Sequence, residues 1–355
     1  MSRSIYLGAD ASLTIRDVNE KYEPQGSQAL ISVKYSGINH CDLNFAHVGL
    51  HSYVTGFEFS GVVEATGPDT SFKVGDSVFG VSTVPFPKPS SLGTHQDKAI
   101  VEDAFTYKVP EGLDLKDAGG CLMGAQTAAD AIFNILGSGW PAAGVQGISP
   151  AGRPILIWGG ATNVGVSAIQ LSKQLGFSPI LVTASPKNHA KLQDLGATHC
   201  FDYRSPSVVD DIQATVKKLG ITLTTAFDTA CSGVMSPDVE ADKTSPALTR
   251  KCLSDGADVE AIRLASTLPV KHDPDFRLCT TYRPPGSIGA MGEPQDPEFP
   301  TRTRKVMEYV VETADRIPRH PNVIFVKGAE KGIEEIHRVS HGAASSEKVV
   351  IEHPM

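Results

Sequence analysis

Residues 154–165, which read PILIWGGATNVG, decide the fold of this 355-residue chain. The apolar run 155–158 predicts a buried strand, and the glycine pair that follows it marks a sharp turn. Beyond the turn, apolar residues recur from Val164 to Leu175 at the spacing of one helix face. The stretch is therefore predicted to form a strand, a tight turn and a helix in immediate succession.

The alternation of strands and helices continues after this stretch. Further strands are predicted at 180–183, 200–203 and 225–230, and helices at 188–195 and 208–219. Strands that alternate with helices of this length imply right-handed βαβ units and a parallel, doubly wound sheet, the Rossmann arrangement. The polar, proline-interrupted stretch 232–286 carries a candidate strand at 262–268, and beyond it we expect an amphipathic helix at 302–317 and a closing strand at 348–351.

The first third of the chain has a different pattern. Short β-branched runs between glycines indicate a β-barrel or sandwich, and they lie at 29–35, 61–67, 76–81 and 95–101. Near residue 114 the pattern changes to an alanine-rich, helix-like segment that looks like the entry to a second domain. The length of the chain suits two domains of ordinary size. We therefore expect an α/β protein with a β-rich domain and a doubly wound one.

Composition excludes several other classes of protein. The net charge of −8 argues against a nucleic-acid partner, because binding phosphates needs many Lys or Arg contacts. No apolar run is long enough to span a bilayer, and no apolar signal begins the chain, so we expect a cytoplasmic protein without a membrane partner. The 6 cysteines lie far apart without a C-x-x-C pair, which indicates neither a disulfide framework nor a structural zinc lobe.

The turn after the first strand of the doubly wound region is a candidate cofactor site. Glycines between a strand and a helix let the backbone approach a pyrophosphate, which then lies on unpaired amides at the helix N-terminus. The residues predicted to bind a dinucleotide here are Gly159, Gly160, Thr162, Asn163, Val164 and Gly165. A left-handed turn alone would also explain the glycines. Thr162 stands where many dinucleotide folds have their middle glycine, so its side chain must point away from the phosphates or hydrogen-bond to them.

The end of the next strand favours NADPH as the cofactor. NAD enzymes usually have Asp or Glu there, about 20 residues past the first glycine, to hold the ribose 2′-hydroxyl. This chain reads VTASPKNH at 182–189, with no acidic residue before Asp194. Ser185 and Lys187 instead offer a hydroxyl and a cation to a 2′-phosphate. In the alternative interpretation, Ser185 only begins a helix and Lys187 is a solvated surface charge.

Five short motifs follow one another along the chain. They are GINHCD at 37–42, GFEFSGVV at 56–63, VGD at 74–76, GGATNVG at 159–165 and EKVVI at 347–351. Their order resembles the medium-chain dehydrogenase/reductase superfamily, and within it the zinc-free quinone oxidoreductase and enoyl reductase branch. The run 155–203 is similar to the trans-acting enoyl reductases of fungal polyketide clusters. This resemblance implies a GroES-like β-barrel as the substrate and catalytic domain, formed by residues 1–125 and 299–355, and a Rossmann NADP(H)-binding domain at 126–298.

Two differences from zinc alcohol dehydrogenases indicate whether this chain binds a metal. In zinc alcohol dehydrogenases the first motif supplies a cysteine ligand and the second a histidine ligand, and this chain has Asn39 and Phe57 there. His40 and Cys41 lie nearby, but zinc needs three or four convergent ligands, so we expect no metal. Without a Lewis acid, hydrogen bonds must polarise the substrate oxygen, which favours reduction of an activated C=C bond.

The resemblance also implies roles for single residues. Asn39 would line the nicotinamide pocket, Thr127 would contact the nicotinamide-ribose end, and Tyr203 would pack near the adenosine phosphate. The structural alternatives are a turn residue, a helix N-cap and ordinary strand packing. Asp42 and Glu58 are expected to organise the barrel rather than to transfer protons.

The proton donor stays open at this point. His40, His51, Tyr53 and a water molecule are all candidates. Asn44 stands where the trans-acting enoyl reductases are expected to carry a lysine, so the chain departs from their pattern there.

Taken with the residues, the resemblance implies an NADPH-dependent, zinc-free reductase. It would transfer hydride to the α,β-unsaturated C=C bond of a polyketide or another secondary-metabolite intermediate. The expected partners are a small-molecule or carrier-bound unsaturated substrate and a polyketide synthase. Two alternatives stay open, a quinone, ketone or imine reductase of the same fold and a non-redox, cofactor-binding or cyclase-like protein, and so does the choice between monomer and dimer.

Overall fold

The chain divides into two compact units in a computed structural model, which describes residues 2–85, 87–256, 258–289 and 292–355. The first unit comprises Met1–Met123, Gly289–Glu293 and Val310–Met355. The second comprises Gly124–Ile288 and Pro294–Tyr309.

Strands and helices are numbered in chain order. The strands are β1 (Ser2–Leu7), β2 (Leu13–Val18), β3 (Gln28–Gly37), β4 (Tyr53–Val54), β5 (Glu58–Thr66), β6 (Ser77–Val81), β7 (Lys98–Glu102), β8 (Thr106–Lys108), β9 (Ile155–Trp158), β10 (Ile180–Thr183), β11 (His199–Phe201), β12 (Thr225–Asp228), β13 (Arg263–Ser266), β14 (Phe276–Leu278), β15 (Val323–Lys327) and β16 (Lys348–Glu352). The α-helices are α1 (Cys41–Asn44), α2 (Leu115–Ala118), α3 (Leu122–Ala129), α4 (Asn163–Leu175), α5 (His189–Leu195), α6 (Val208–Leu219), α7 (Ser245–Lys251), α8 (Phe299–Val311) and α9 (Ala329–Ser340). No helix in the described ranges is both long and apolar enough to cross a membrane.

The second unit is built on a parallel sheet of six strands in the order β11-β10-β9-β12-β13-β14. This is the order of a dinucleotide-binding sheet, in which ligands bind where the succession of strands reverses, here between β9 and β12. Leu156, Leu181, Ala226 and Leu264 lie buried in one cluster with residues of α6. The predicted doubly wound sheet is confirmed. The short strand β14 lies in the stretch that the sequence left without a clear pattern.

The first unit holds the β-rich part of the chain. Seven strands form one sheet in the order β15-β16-β3-β5-β6-β8, with β7 paired to β3, and β2-β1-β4 form a second sheet. Strand β3 pairs antiparallel with β5, β7 and β16, so it ties the N-terminal strands to the C-terminal one. The predicted β-rich domain is confirmed. Alternating residues of β3 and β5, among them Ile31, Val33 and Phe59, are buried in one apolar cluster.

The helix expected at 302–317 has different bounds. Helix α8 begins at Phe299 and ends at Val311, and a turn in which Arg316 N donates to the Thr313 carbonyl replaces its expected last turns. Most of α8 packs in the second unit, where Asn134 Nδ2 donates to the Phe299 carbonyl at 3.1 Å. Arg302 also donates from its guanidinium to the Phe133 carbonyl. The predicted boundary at residue 299 therefore falls inside the second unit.

Candidate functional site

The loop after β9 is clamped between the two neighbouring strands. Gly159 N donates to Thr183 Oγ1 at 3.0 Å and Gly160 N donates to the Thr183 carbonyl at 2.9 Å, both at the end of β10. Gly159 has a φ of +86°, and a Cβ there would lie 2.8 Å from the Ala230 Cβ beyond β12. A Cβ at Gly160 would lie 2.1 Å from Val182 Cγ1. Both glycines are therefore required by the turn and by its close approach to the sheet.

Thr162 caps the helix that follows. Its Oγ1 accepts from Gly165 N at 2.9 Å and donates to Thr229 Oγ1 at 3.0 Å. Thr229 Oγ1 also lies 2.9 Å from the Trp158 carbonyl oxygen. Of the two orientations left open by the sequence, the hydroxyl of Thr162 thus points into the loop, as an N-cap. No local pattern indicates a role for Thr229, because the residue lies 67 positions from its partner Thr162.

The first turn of α4 leaves two backbone donors available. Gly165 N is capped, whereas the amides of Asn163 and Val164 have no hydrogen-bond partner among the described residues, and both residues are partly exposed. A Cβ at Gly165 would lie 2.4 Å from the Gly159 carbonyl oxygen, so only glycine lets the helix start this close to the loop. Free amides at the positive end of a helix of 13 residues fit the pyrophosphate of a dinucleotide.

The ends of β10 and β11 lie side by side and carry the other predicted cofactor residues. Ser185 is buried and begins a short turn, while Lys187 is exposed. Asn188, which the sequence did not single out, is buried, and its Nδ2 has no partner among the described residues. Tyr203 is exposed, and the Arg204 guanidinium carbon lies 5.1 Å from its ring centroid. These edges thus present a hydroxyl, an amide and two cations.

Thr127 lies on α3 in the second unit. Its Oγ1 is 2.6 Å from Thr281 Oγ1, in the segment after β14. A Cβ at Gly124, one turn earlier, would lie 2.8 Å from the Asn163 carbonyl oxygen. The helix that carries Thr127 therefore packs directly on the first turn of α4, next to the free amides.

Asn39 lies in the first unit with every polar atom of its side chain engaged. Its Nδ2 donates to the Gly37 carbonyl at 3.1 Å and to Glu58 Oε2 at 3.3 Å. Its Oδ1 accepts from Lys348 Nζ at 2.7 Å. These contacts fix the orientation of the carboxamide, with its nitrogen toward Gly37 and Glu58 and its oxygen toward Lys348.

Lys348 and Glu58 form a buried ion pair behind Asn39. Lys348 Nζ lies 2.7 Å from Glu58 Oε2 and donates to the Ile38 carbonyl at 2.9 Å. Glu58 Oε1 accepts from Met123 N at 2.8 Å. Both side chains are almost fully enclosed, at 2% and 0% exposure. The expectation that Glu58 organises the barrel agrees with these contacts, whereas the sequence did not indicate a role for the Lys348 ammonium.

Part of the chain matches a known protein family, and part of it is similar to a named enzyme. Residues 25–111 match the family described as the alcohol dehydrogenase GroES-like domain, and the second unit has the strand order of a dinucleotide-binding sheet. Residues 25–111 thus form a domain of that family, and the chain as a whole resembles the medium-chain dehydrogenase/reductase superfamily. A trans-enoyl reductase of Pyricularia grisea is 34% identical over 227 residues, which are 61% of this chain and 58% of that protein. The aligned part thus spans little more than half of that relative.

Two solved structures have the same fold over nearly the whole chain. A protein of Rhizobium etli described as a putative zinc-dependent alcohol dehydrogenase has a TM-score of 0.68 at 23% identity, covering 99% of this chain and 98% of its own. The CurK enoyl reductase has a TM-score of 0.67 at 16% identity, covering 99% of both chains. At these identities the two likenesses show a shared fold.

The sequence resemblance places Asn39 and Phe57 where zinc alcohol dehydrogenases would have their first and second ligands. At the first, the Asn39 amide contacts the Lys348 ammonium. At the second, the Phe57 ring is buried and packs edge to face on Phe45, with ring centroids 5.3 Å apart. Nowhere in the described ranges do three His, Cys, Asp or Glu side chains form a group able to hold a metal ion. Burial raises the pKa of the neighbouring Cys41 thiol well above its ordinary value.

A second buried lysine, Lys88, lies in the same unit, and among the described residues no carboxylate is within ion-pair distance of its ammonium. Its Nζ donates to Ser82 Oγ at 2.9 Å and to the Leu92 carbonyl at 3.1 Å, and it lies 4.7 Å from the Phe57 ring centroid. Burial lowers the pKa of Lys88 to about 7, because these neutral acceptors do not replace the hydration of the ammonium.

Lys88 predicts a pH dependence of stability. Between pH 7 and its ordinary pKa, the unfolded chain binds a proton at Lys88 that the folded chain does not, so the free energy of unfolding rises with pH. From pH 7 to pH 8.5 the expected rise is about 1–2 kcal/mol. Urea denaturation should lose this rise in Lys88→Met and keep it in Lys21→Met, whose side chain is 87% exposed. An equal slope in wild type and Lys88→Met would contradict the assignment.

Proposed function

We propose that the protein is a zinc-independent, NADPH-dependent reductase that adds hydride to an activated C=C bond. The observation that carries the proposal is the environment of Asn39. Its amide is held by a buried ammonium and a buried carboxylate at the position where zinc-dependent relatives have a ligand. Asn39 therefore fills that position with a neutral amide of fixed orientation in place of a metal ligand. The similarity to a protein named trans-enoyl reductase supports the same reaction class.

In this proposal the first unit is the substrate and catalytic domain and the second is the NADP(H)-binding domain. The free amides of Asn163 and Val164 hold the pyrophosphate, and Gly159, Gly160 and Gly165 allow the backbone to approach it. Thr162 contributes by capping the helix, which keeps those amides aimed outward. At the adenosine end, Ser185 and Lys187 bind the 2′-phosphate and Tyr203 packs beside it.

The nicotinamide, when bound, supplies hydride to the β carbon of an unsaturated carbonyl compound. Asn39 and Thr127 orient the reacting end. The carboxamide of Asn39 cannot rotate without losing its contacts to Lys348 and Glu58, so its orientation is set before substrate arrives. Asn39 thus shapes the pocket as a fixed neutral wall rather than as a hydrogen-bond donor to the substrate.

The proposed substrate is a polyketide or another secondary-metabolite intermediate, free or carrier-bound, and the proposed partner is a polyketide synthase in the cytoplasm. The similarity to a trans-enoyl reductase supports this. Asn44, the departure from the pattern of these relatives, donates from its side chain to the Ser340 carbonyl at 3.2 Å. It thus ties α1 to α9.

Cofactor choice gives a direct prediction. Lys187→Ala and Ser185→Ala should each lower the affinity for NADPH about tenfold and leave that for NADH nearly unchanged, because only NADPH carries the 2′-phosphate. Lys191→Ala is the matched control, since Lys191 is also exposed and lies one helical turn away. Fluorescence titration with both cofactors checks the prediction. An unchanged ratio of the two affinities would remove Lys187 and Ser185 from the site.

The reaction class is tested with purified protein, NADPH and a panel of α,β-unsaturated thioesters, unsaturated ketones, imines and quinones. We expect NADPH oxidation with unsaturated carbonyl compounds. Oxidation with quinones or imines alone would assign another reductase activity in the same fold. Binding of NADPH without turnover of any compound would favour a non-redox role. Conversion of a substrate without NADPH would favour a cyclase or isomerase.

A further inference from the structure

A buried ion pair lies in the second unit and has no part in the contacts described so far. Arg283 Nε donates to Asp130 Oδ1 at 2.5 Å, and Arg283 Nη2 donates to Asp130 Oδ2 at 2.8 Å, so the pair is bidentate. The arginine side chain is 6% exposed and the aspartate side chain 0%. Replacing such a pair by apolar residues of similar volume is often neutral or stabilising, so stability alone does not account for it.

The carboxylate of Asp130 is also held by two other groups. Its Oδ1 accepts from Asn134 Nδ2 at 2.7 Å, and its Oδ2 accepts from Thr280 N at 2.8 Å. With the two bonds from Arg283, each oxygen accepts two hydrogen bonds, which is about the number that a carboxylate can take. Asp130 begins a π-helical turn (Asp130–Ile135) that continues α3, and turns of this kind are frequent at functional sites.

The residues on the other side of the pair belong to the segment 279–286, which follows β14. Arg283 Nη1 donates to Gln295 Oε1 at 3.2 Å. Gln295 Nε2 in turn donates to the Pro284 carbonyl at 2.7 Å and to the Gly286 carbonyl at 2.9 Å. The ion pair and Gln295 therefore fix the path of the segment across the end of α3.

The segment brings a second hydroxyl to Thr127. Thr281 Oγ1 lies 2.6 Å from Thr127 Oγ1, and Gln126 Nε2 donates to the Thr281 carbonyl at 2.6 Å. Thr281 stands between the two residues of the segment that donate to Asp130, so its place follows from theirs. Thr127 is buried, whereas Thr281 is partly exposed. The ion pair and the two threonines thus form one connected set of contacts.

This set of contacts lies next to the proposed cofactor site. The segment starts at the carboxyl end of β14 and the glycine turn at the carboxyl end of β9, and in a parallel sheet these ends meet at one edge. Helix α3, which carries Thr127, packs on the first turn of α4. In the proposed function Thr127 contacts the nicotinamide-ribose end of NADPH. Contacts that fix the Thr127 hydroxyl therefore act on that end of the cofactor.

We propose that Asp130 and Arg283 are positioning residues, which hold Thr281 so that its hydroxyl fixes the direction of the Thr127 hydroxyl at the nicotinamide ribose. The inference rests on the proposed function for the identity of the ligand. Asp130 and Arg283 do not touch the cofactor in this assignment and act through Thr281. A hydroxyl whose direction is already fixed loses less conformational freedom when it binds a ribose hydroxyl, so the cofactor binds more tightly.

Thr281→Val removes the hydroxyl and keeps the shape of the side chain. We expect NADPH to bind about tenfold more weakly, whereas adenosine 2′,5′-bisphosphate, which lacks the nicotinamide and its ribose, should bind as it does to the wild type. Thr281→Ser keeps the hydroxyl and should restore most of the affinity for NADPH. Thr249→Val is the matched control, because Thr249 is fully buried in α7 and its Oγ1 has no hydrogen-bond partner among the described residues. Isothermal titration calorimetry measures both ligands.

Arg283→Lys tests the ion pair itself. Lysine keeps a cation opposite Asp130 but lacks the planar fork that binds both carboxylate oxygens. We expect the same selective loss of NADPH affinity, and a kcat about tenfold lower with the KM for the unsaturated thioester unchanged, because the reacting end of the cofactor is misplaced. Arg250→Lys is the matched control, since Arg250 binds Asp273 in the same bidentate way, at 2.8 and 2.7 Å, and should bind NADPH as the wild type does.

The double variant Thr281→Val with Arg283→Lys distinguishes positioning from a separate structural role. If the pair acts through Thr281, the double variant should bind NADPH no more weakly than the weaker single variant. Additive losses would overturn the role of the pair. If Arg283→Lys does not fold, Thr281→Val and Thr281→Ser still test the hydroxyl contact.

The two ligands separate failure of this inference from failure of the proposed function. Wild-type affinity for NADPH in Thr281→Val, or equal weakening of NADPH and adenosine 2′,5′-bisphosphate, would refute the positioning and leave an NADPH-dependent reductase standing. A wild-type protein that binds neither ligand would refute the proposed function, and the inference with it. Selective weakening of NADPH, restored by serine at position 281, is the result expected.

Discussion

Lys348→Met is expected to lower the free energy of unfolding by about 3–5 kcal/mol, because it leaves the buried Glu58 carboxylate without its cation. Glu58 is fully enclosed, so water cannot take the place of the ammonium. Asn39 Oδ1 loses its partner in the same variant, and we expect reductase activity to fall as well. Urea denaturation at pH 7 measures the loss of stability.

Two comparisons make this first prediction specific. Lys327→Met removes a lysine from the neighbouring strand β15, whose Nζ lies 3.4 Å from Glu352 with 69% of the lysine side chain exposed, and should cost less than about 1 kcal/mol. The double variant Lys348→Met with Glu58→Gln should lose less than the two single variants together, since no uncompensated charge remains. If Lys348→Met and Lys327→Met had equal effects, the pair would be solvated rather than buried.

Gly165→Ala is expected to weaken NADPH binding about 100-fold, which corresponds to about 2.7 kcal/mol. The added Cβ would lie 2.4 Å from the Gly159 carbonyl oxygen and 2.8 Å from the Gly160 Cα. Both neighbours are backbone atoms of the loop, so the helix must move away from it. The amides of Asn163 and Val164 would move with the helix and lose their aim at the pyrophosphate.

The control for this second prediction is Gly220→Asn. Gly220 ends α6 with a φ of +64°, and apart from its chain neighbours and its own helix no atom of the described residues lies within 4 Å of a Cβ built there. Asparagine tolerates such a conformation. The variant should bind NADPH as the wild type does, in the same fluorescence titration. Binding by Gly165→Ala within threefold of wild type would mean that the pyrophosphate lies elsewhere.

The second unit could be predicted from the sequence because its signals are local. Apolar runs of four residues, a glycine turn and a helical period stand next to one another from 155 to 219. Strand β14 was not predicted, because its three residues are too few to show a period. In the first unit, strand β15 and helix α9 were not predicted either. The bounds of α8 differ from the predicted 302–317 for a similar reason. The helix begins where Phe299 accepts from Asn134, and these two residues are 165 positions apart in the chain.

The candidate site likewise has a part that local sequence predicts and a part that depends on residues far apart in the chain. The strand, glycine turn and helix start at 155–165, where we propose that the pyrophosphate binds, were predicted because these residues are consecutive. The role of Thr162 as a cap, its contact with Thr229 and the Lys348–Glu58 pair depend on residues far apart in the chain.

The central claim is that hydride passes from NADPH to the β carbon of an unsaturated carbonyl substrate without zinc. The most direct measurement uses NADPH with deuterium at nicotinamide C4, an α,β-unsaturated thioester and protein treated with a zinc chelator, followed by mass spectrometry of the product. The account predicts a saturated thioester with one deuterium, located at the β carbon, formed at the same rate with and without chelator. Deuterium at a carbinol carbon, or loss of turnover on chelation, would contradict it.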